Sequence, residues 1–170
     1  MRSGAKQTHP RPESRASGHP LPQAGGGIRF AGYASVFDRV DRGGDVVRAG
    51  AFAASLKEGR AVPLLWQHRP GVNIGMIEAL AEDARGLRVV ARVTHPTAAA
   101  LIARGALTGL SFGYRVRGAR GENPRELTAL DLAEVSLVAA PMQPLARVVA
   151  VESGLFLPAP KAWGGGTPQG

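Results

Sequence analysis

The sequence predicts a mainly β protein with flanking helices, of the α+β class, whose strands form a closed or nearly closed β-barrel surrounded by a few helices. Two observations support this fold class. Most apolar residues fall in short segments that alternate with polar residues or are rich in β-branched residues, and turn-forming residues separate these segments. Two segments, by contrast, have the pattern of a helix.

Six segments have the alternation and the β-branched and aromatic content of strands. They are residues 27–37, 61–68, 71–80, 87–93, 111–116 and 126–138. Pro63 lies early in the second segment and therefore indicates an edge strand or the start of a strand. Residues 146–151 are predicted to form a last short strand or helix.

The two predicted helices lie between these strands. Residues 50–59 predict a short helix that ends at a glycine. Residues 94–105 predict the clearest helix, because Thr94 or His95 can cap it and Pro96 suits its first turn. A glycine again stands where this helix should end.

The loop at residues 38–47 carries three acidic residues, Asp38, Asp41 and Asp45, a grouping that suggests calcium. Arginines are interleaved with these acids, however, and their spacing is not that of an EF-hand loop. We therefore expect a structural turn. No other pattern in the sequence indicates a metal or a cofactor.

A chain of 170 residues is long enough for one domain with its own core. Residues 1–27 predict a disordered, basic, Pro/Gly-rich tail, and residues 154–170 predict a flexible C-terminal tail. Both segments have too few large apolar residues to offset the entropy cost of ordering. The predicted folded domain is therefore residues 28–153.

Composition excludes several classes of function. The chain has no cysteine, which excludes a thiol nucleophile and a zinc–thiolate site. No apolar run is long enough to cross a membrane, so no membrane partner is expected. The net charge is +8, but the arginines are scattered and no nucleic-acid-binding motif accompanies them, so no specific nucleic-acid partner is expected.

Residues 109–113 read Gly-Leu-Ser-Phe-Gly and match the G-x-S-x-G pattern found around nucleophilic serines. In the α/β-hydrolase elbow, which has this pattern, a helix follows the serine and the histidine comes later in the chain. Here a strand pattern follows Ser111, and all four histidines precede it. Ser111 is therefore a nucleophile in another architecture or a serine at a turn.

Two further side chains are candidates for chemistry. His68 ends a predicted strand, where it can reach into a cleft or bond a surface loop. Glu134 lies inside the apolar strand 126–138, where an unpaired carboxylate is costly. Its partner is then an active-site group or one of the arginines. Asp131 lies nearer the start of the same strand, and His95 is expected to cap a helix.

Five segments, in this order, resemble the phage prohead proteases, which mature icosahedral capsids. They are "GYASVFDRVDRGGDVVRAGAF" (32–52), "VPLLWQH" (62–68), "IGMIEALAEDARGLRVVARV" (74–93), "ARGALTGLSFGYRV" (103–116) and "LDLAEVSLVAAPMQPLARV" (130–148). The resemblance extends over about residues 28–152. That family is similar in fold to the herpesvirus assemblin proteases, a β-barrel surrounded by helices.

The resemblance also implies roles for the candidate residues. The serine of the family's motif corresponds to Ser111 as nucleophile, and its histidine corresponds to His68 as base. The third member of the triad corresponds to Glu134, with Asp131 and then His95 as alternatives. The resemblance implies no metal and no cofactor.

The function implied by the resemblance is that of a serine endopeptidase. Its substrate would be the scaffold or the scaffold-like N-terminal segment of the major capsid protein of a phage, prophage or gene transfer agent, and it would also cleave itself. It would self-associate inside the immature capsid, the prohead, in the bacterial host cytoplasm. The rival functions are a non-catalytic capsid assembly or scaffolding component that retains the barrel, and a basic nucleic-acid-binding barrel.

Removing both predicted tails should leave a chain that still folds. Because residues 1–27 and 154–170 can add little apolar surface to a core, a chain shortened to residues 28–153 should be soluble and unfold in one cooperative transition. Thermal unfolding followed by circular dichroism measures this. Aggregation of the shortened chain, while the full chain stays soluble, would place the domain boundaries elsewhere.

Overall fold

Eight strands pair into one sheet in the computed structural model, which describes residues 27–152. The strands are β1 (Ile28–Val36), β2 (Asp45–Val47), β3 (Leu64–Trp66), β4 (Asn73–Glu82), β5 (Gly86–Val93), β6 (Gly109–Arg120), β7 (Arg125–Val138) and β8 (Val148–Val151). The helices are α1 (Ala53–Lys57) and α2 (Pro96–Ala103). The two predicted tails, apart from residue 27, lie outside the described residues.

The predicted strands and helices are confirmed, with shifts at their ends, but the sequence did not predict β2 (Asp45–Val47), which lies in the segment predicted as a loop. The strand predicted at 111–116 is longer, because β6 pairs with β7 from Gly109 to Arg120. Residues 146–151, predicted as strand or helix, contain the strand β8. Helix α2 has His95 as its N-cap and Pro96 in its first turn, as predicted. Neither helix in the described range is long and apolar enough to span a bilayer.

The closed barrel predicted from the sequence is not confirmed, because the sheet stays open. The strand order is β2-β7-β3-β4-β5-β1-β8, and β6 pairs with β7. β8 has four residues, and it pairs with Phe30, Ala31 and Gly32 of β1. Gly109, the first residue of β6, pairs with Arg147, just before β8, in a single isolated bridge. β6 and β8 therefore form no continuous ladder, and the sheet is not closed there.

β7 is the strand around which the rest of this region is arranged. β6 pairs antiparallel along its length, while β2 and β3 pair with it in parallel near its two ends. Between β2 and β3, helix α1 and the residues before it cover the edge of β7. There Leu130 N–H donates to the carbonyl of Ala51 at 2.8 Å, and Leu132 N–H donates to Ser55 Oγ at 3.0 Å. Along this edge, the hydrogen-bonding groups of the β7 backbone are therefore paired first with β2, then with α1 and the residues before it, and then with β3.

Apolar side chains hold β3, β6 and β7 in this register. Leu64, Leu110 and Leu137 are fully buried, one from each strand, and they belong to the same core cluster. Burial of each such side chain is worth about 1.5–3 kcal/mol. A slip of one residue would turn the buried face of a strand toward solvent, so this burial fixes which residues of the three strands lie side by side.

The acidic loop predicted at 38–47 is a structural turn as far as Gly44, and its last three residues form the strand β2. Asp41 Oδ1 accepts hydrogen bonds from Gly43 N–H at 2.8 Å and from Asp45 N–H at 3.0 Å. Asp45 pairs with Arg125, whose hydrogen bonds lower the pKa of that carboxyl. Each acid of the loop thus has a partner that shapes the turn or fixes its ends.

Glu126, at the start of β7, links two arginines from different parts of the chain. Arg48 Nη2 and Arg120 Nε each donate to its carboxylate at 2.5 Å. These hydrogen bonds, the one from Arg48 first, lower the pKa of Glu126 from 4.5 to about 2. The ionised form of Glu126 is therefore favoured in the folded protein.

Glu126→Gln should reduce the acid sensitivity of folding. Because the folded-state pKa is depressed, the contribution of Glu126 to the unfolding free energy is present above about pH 4.5 and is lost as the pH falls toward about 2. The variant should be less stable than the natural chain at pH 6 and should approach it near pH 2. Urea unfolding at both pH values measures this, with the exposed Glu122→Gln as control. If the variant is less stable than the natural chain by the same unfolding free energy at both pH values, the lowered pKa of Glu126 is not the cause of the difference.

Candidate active site

The segment that carries His68 leaves the sheet through a strained turn. β3 ends at Trp66, and the next two residues, Gln67 and His68, have positive φ values of 49° and 58°. A left-handed backbone costs a non-glycine residue roughly 1–2 kcal/mol. Gln67 N–H donates to the carbonyl of Leu137 at 3.0 Å, and Gln67 Oε1 accepts from Ala139 N–H at 3.2 Å. These bonds to the end of β7 hold the turn in place.

The side chain that pairs with the partly buried carboxylate of Glu134 is a histidine. Glu134 Oε1 lies 2.5 Å from His68 Nδ1, although 66 positions separate the two residues in the chain. The Glu134 side chain is 12% exposed. An ionised carboxylate only accepts hydrogen bonds, so Nδ1 carries the proton, and Nε2 of a neutral imidazole is left as an acceptor. The alternative, an arginine partner for Glu134, is not what the structure shows.

The other oxygen of Glu134 is also bonded. Ser136 Oγ donates to Glu134 Oε2 at 2.6 Å, and the same Oγ accepts from the backbone N–H of His68 at 3.1 Å. Ser136 is fully buried. Sequence reasoning assigned no role to Ser136. Ser136 lies two residues after Glu134 in a strand, so the sequence could have indicated that the two side chains share a face and are close enough to interact.

Ser111 lies directly opposite Ser136 in the register of β6 and β7. Residues opposed in this way have their Cβ atoms about 4.5–5.5 Å apart and point to the same face. The register therefore puts the Ser111 side chain on the face of the sheet that carries Ser136 and Glu134, and Ser111 is 5% exposed. Within residues 27–152 no hydrogen bond joins Ser111 Oγ to His68. The structure thus places the three predicted residues together, and two of them are in contact.

The two glycines of the Gly-Leu-Ser-Phe-Gly segment are needed because atoms of β7 lie too close to them for a side chain. Neither adopts a positive φ. A Cβ on Gly113 would lie 2.7 Å from Glu134 Oε1, and a Cβ on Gly109 would lie 2.4 Å from the carbonyl oxygen of Val138. Gly113 therefore leaves room for the acid, and Gly109 for the backbone of β7. The pattern is not a nucleophile elbow, which requires a strand, a sharp turn and a helix.

A break in the β6–β7 ladder accompanies this site. Gly113 pairs with Glu134 and Tyr114 pairs with Leu132, so Ala133 is an extra residue in β7. Such a β-bulge redirects the neighbouring side chains and occurs often beside active sites. Here the bulge adjoins the acid.

The two alternatives for the third position have other partners. Asp131 accepts a hydrogen bond from Arg117 Nε at 2.6 Å, and this bond lowers the pKa of Asp131. His95 caps helix α2 by accepting from Ala98 N–H at 3.4 Å, and its ring stacks on Trp66 with centroids 6.3 Å apart. Neither residue hydrogen-bonds His68 or Ser111 in the described range.

The fold is similar to that of the herpesvirus proteases. One similar structure is the KSHV protease in complex with a hexapeptide phosphonate inhibitor, with a TM-score of 0.50 and 15% identity over 72% of this chain and 64% of that chain. Another is the varicella-zoster virus protease, with a TM-score of 0.50 and 15% identity over 71% of this chain and 62% of that chain. At such identity the similarity establishes the fold alone.

Sequence similarity then defines the family. Residues 19–155 match the model of the caudovirus prohead serine protease family, and the chain belongs to this family. The prohead protease of Enterobacteria phage HK97 is 38% identical in an alignment of 94 residues that covers 51% of this chain and 42% of that protein. The chain therefore spans less than half the length of this relative. The resemblance stated from the motifs is confirmed.

Gly113→Ala should displace the acid without unfolding the protein. The added methyl group would collide with the end of the Glu134 side chain, which can move, so the stability cost should be about 1–2 kcal/mol. The His68 Nδ1–H···Glu134 hydrogen bond should be lost. A downfield proton resonance, assigned by its absence in His68→Ala, measures that bond.

A matched control for this variant is Gly118→Ala, also in β6, where the added Cβ would meet Thr128 Oγ1 at 2.9 Å. The control should keep the downfield resonance. Its persistence in Gly113→Ala would show that Gly113 does not set the position of the acid.

Proposed function

We propose that this chain is a serine endopeptidase that acts in the maturation of a phage or phage-like particle, with Ser111 as nucleophile, His68 as general base and Glu134 as the acid that orients His68. The observation that supports the proposal most directly is the 2.5 Å contact between His68 Nδ1 and Glu134 Oε1, on the face of the sheet where Ser111 lies. Triads are defined by such geometry and not by chain order.

The proposed reaction uses these three side chains in turn. Ser111 Oγ attacks the scissile carbonyl carbon and passes its proton to His68 Nε2, the nitrogen that the contact with Glu134 leaves as an acceptor. Glu134 stabilises the imidazolium that forms. His68 then gives the proton to the leaving amine, and a water activated in the same way hydrolyses the acyl-enzyme. The Ser111–His68 hydrogen bond would form when substrate binds, since such bonds are often long in free enzymes.

The proposed substrate is the scaffold, or the scaffold-like N-terminal segment of the major capsid protein. This part of the proposal is supported by membership in the prohead protease family. The proposal also includes self-cleavage, self-association within the prohead and a location in the host cytoplasm, and membership in the family supports them. The particle could belong to a phage, a prophage or a gene transfer agent. The rival is a capsid assembly component that keeps the fold without cutting.

Ser111→Ala should abolish cleavage and leave the fold intact. Losing the nucleophile of a triad costs roughly 10⁶-fold in turnover, and losing the base costs about as much. His68→Ala should therefore be equally inactive, and combining the two should add little. Glu134→Gln should retain more activity, with a loss of about 10⁴-fold. The assay is processing of the cognate major capsid protein, co-produced with each full-length variant and read on a gel.

The matched control is Ser35→Ala, at another fully buried serine, whose Oγ has no hydrogen-bond partner among the described residues. This variant should cleave as the natural chain does. A folded Ser111→Ala chain that still processes the capsid protein would refute the nucleophile assignment. A natural chain that enters the particle without cutting would favour the assembly component.

A further inference from the structure

A single buried hydroxyl connects the two residues that the proposed mechanism needs to hold in place. Ser136 is 0% exposed and lies in β7. Its Oγ donates to Glu134 Oε2 at 2.6 Å and accepts from His68 N–H at 3.1 Å. The donor and the acceptor capacity of the hydroxyl are thus each used by one of the two residues.

We propose that Ser136 is a positioning residue of the triad, an inference that rests on the proposed function. By holding Oε2, Ser136 directs the other carboxylate oxygen of Glu134 at His68 Nδ1. By accepting from His68 N–H, it fixes the backbone from which the imidazole extends. One hydroxyl therefore sets the distance between acid and base from both sides.

The backbone of His68 needs this support. His68 lies beyond the end of β3 and has a φ of 58°, so its N–H has no place in the parallel ladder with β7. The strand pairing instead brings Ser136 next to Leu65, three residues before His68. The side chain of Ser136 then reaches the N–H that the backbone of β7 does not. A strained conformation persists when several contacts determine it, and this bond is one of them.

The same geometry excludes Ser136 as a second nucleophile. Its proton is given to the carboxylate of Glu134, at 2.6 Å. Its oxygen also accepts from His68 N–H. Ser111, directly opposite in β6, makes neither of these contacts. The two serines therefore have different functions, although they face each other.

A fluorophosphonate active-site probe tests the inference on the full-length chain. The limiting rate of labelling should fall roughly 10- to 100-fold in Ser136→Ala, which is the effect of losing a hydrogen bond to a charged group. The probe concentration at half-maximal rate should not change, because Ser136 would act through Glu134 and not touch the probe. Peptide mapping should find the label on Ser111 in both proteins.

A double-mutant cycle separates positioning from a general structural effect. If Ser136 acts through Glu134, adding Ser136→Ala to Glu134→Gln should change the labelling rate by less than about twofold. Ser55→Ala is the matched control, because Ser55 Oγ also bonds β7, through Leu132 N–H at 3.0 Å, away from the acid. It should be labelled at the natural rate.

The outcomes distinguish this inference from the proposed function. Equal labelling rates for the natural chain and Ser136→Ala would overturn the inference alone, as would a full additive loss in the Glu134→Gln background. A label on Ser136 in the natural chain would also overturn it. A natural chain that is not labelled, or is labelled as fast as Ser111→Ala, would overturn the proposed function and this inference with it.

Discussion

The partly buried carboxylate of Glu134 is the constraint on which this site depends. A charge inside a mostly apolar strand is tolerated only when it is bonded on all sides. Each feature around it meets that need. His68 and Ser136 take one oxygen each, and Gly113 on the opposite strand leaves the space. The bulge at Ala133 adjoins it. Glu134 would destabilise the strand if it were unpaired, and the side chains around it are arranged so that it is paired.

β7 supplies the framework for this arrangement. It carries Glu134 and Ser136, it pairs with β6 on one side, and it pairs with β3 on the other. β3 runs parallel to β7 and ends at Trp66, opposite Leu137, and the turn that follows brings His68 to Ser136 and Glu134. The buried leucines of the three strands keep the register. The stability of the core and the geometry of the site are therefore set by the same contacts.

The order of the candidate triad along the chain follows from this topology. His68 comes from the turn after one strand, Ser111 from near the start of a second and Glu134 from within a third. No strand–turn–helix elbow is involved, so the pattern around Ser111 has a different physical basis here. Its glycines permit two strands to approach, and membership in the prohead serine protease family agrees with that architecture.

The sequence alone determined the two helices, every strand except β2 and the short β8, and Glu134 as an acid that needs a partner. These features depend on periodicity and burial costs that act within a few neighbouring residues. Only the tertiary structure decided that the sheet stays open, that His68 and not an arginine bonds Glu134, and that Ser136 joins the two. It also assigned Asp131 and His95 to other partners. Those outcomes depend on register between strands as far as 66 positions apart, which no local pattern encodes.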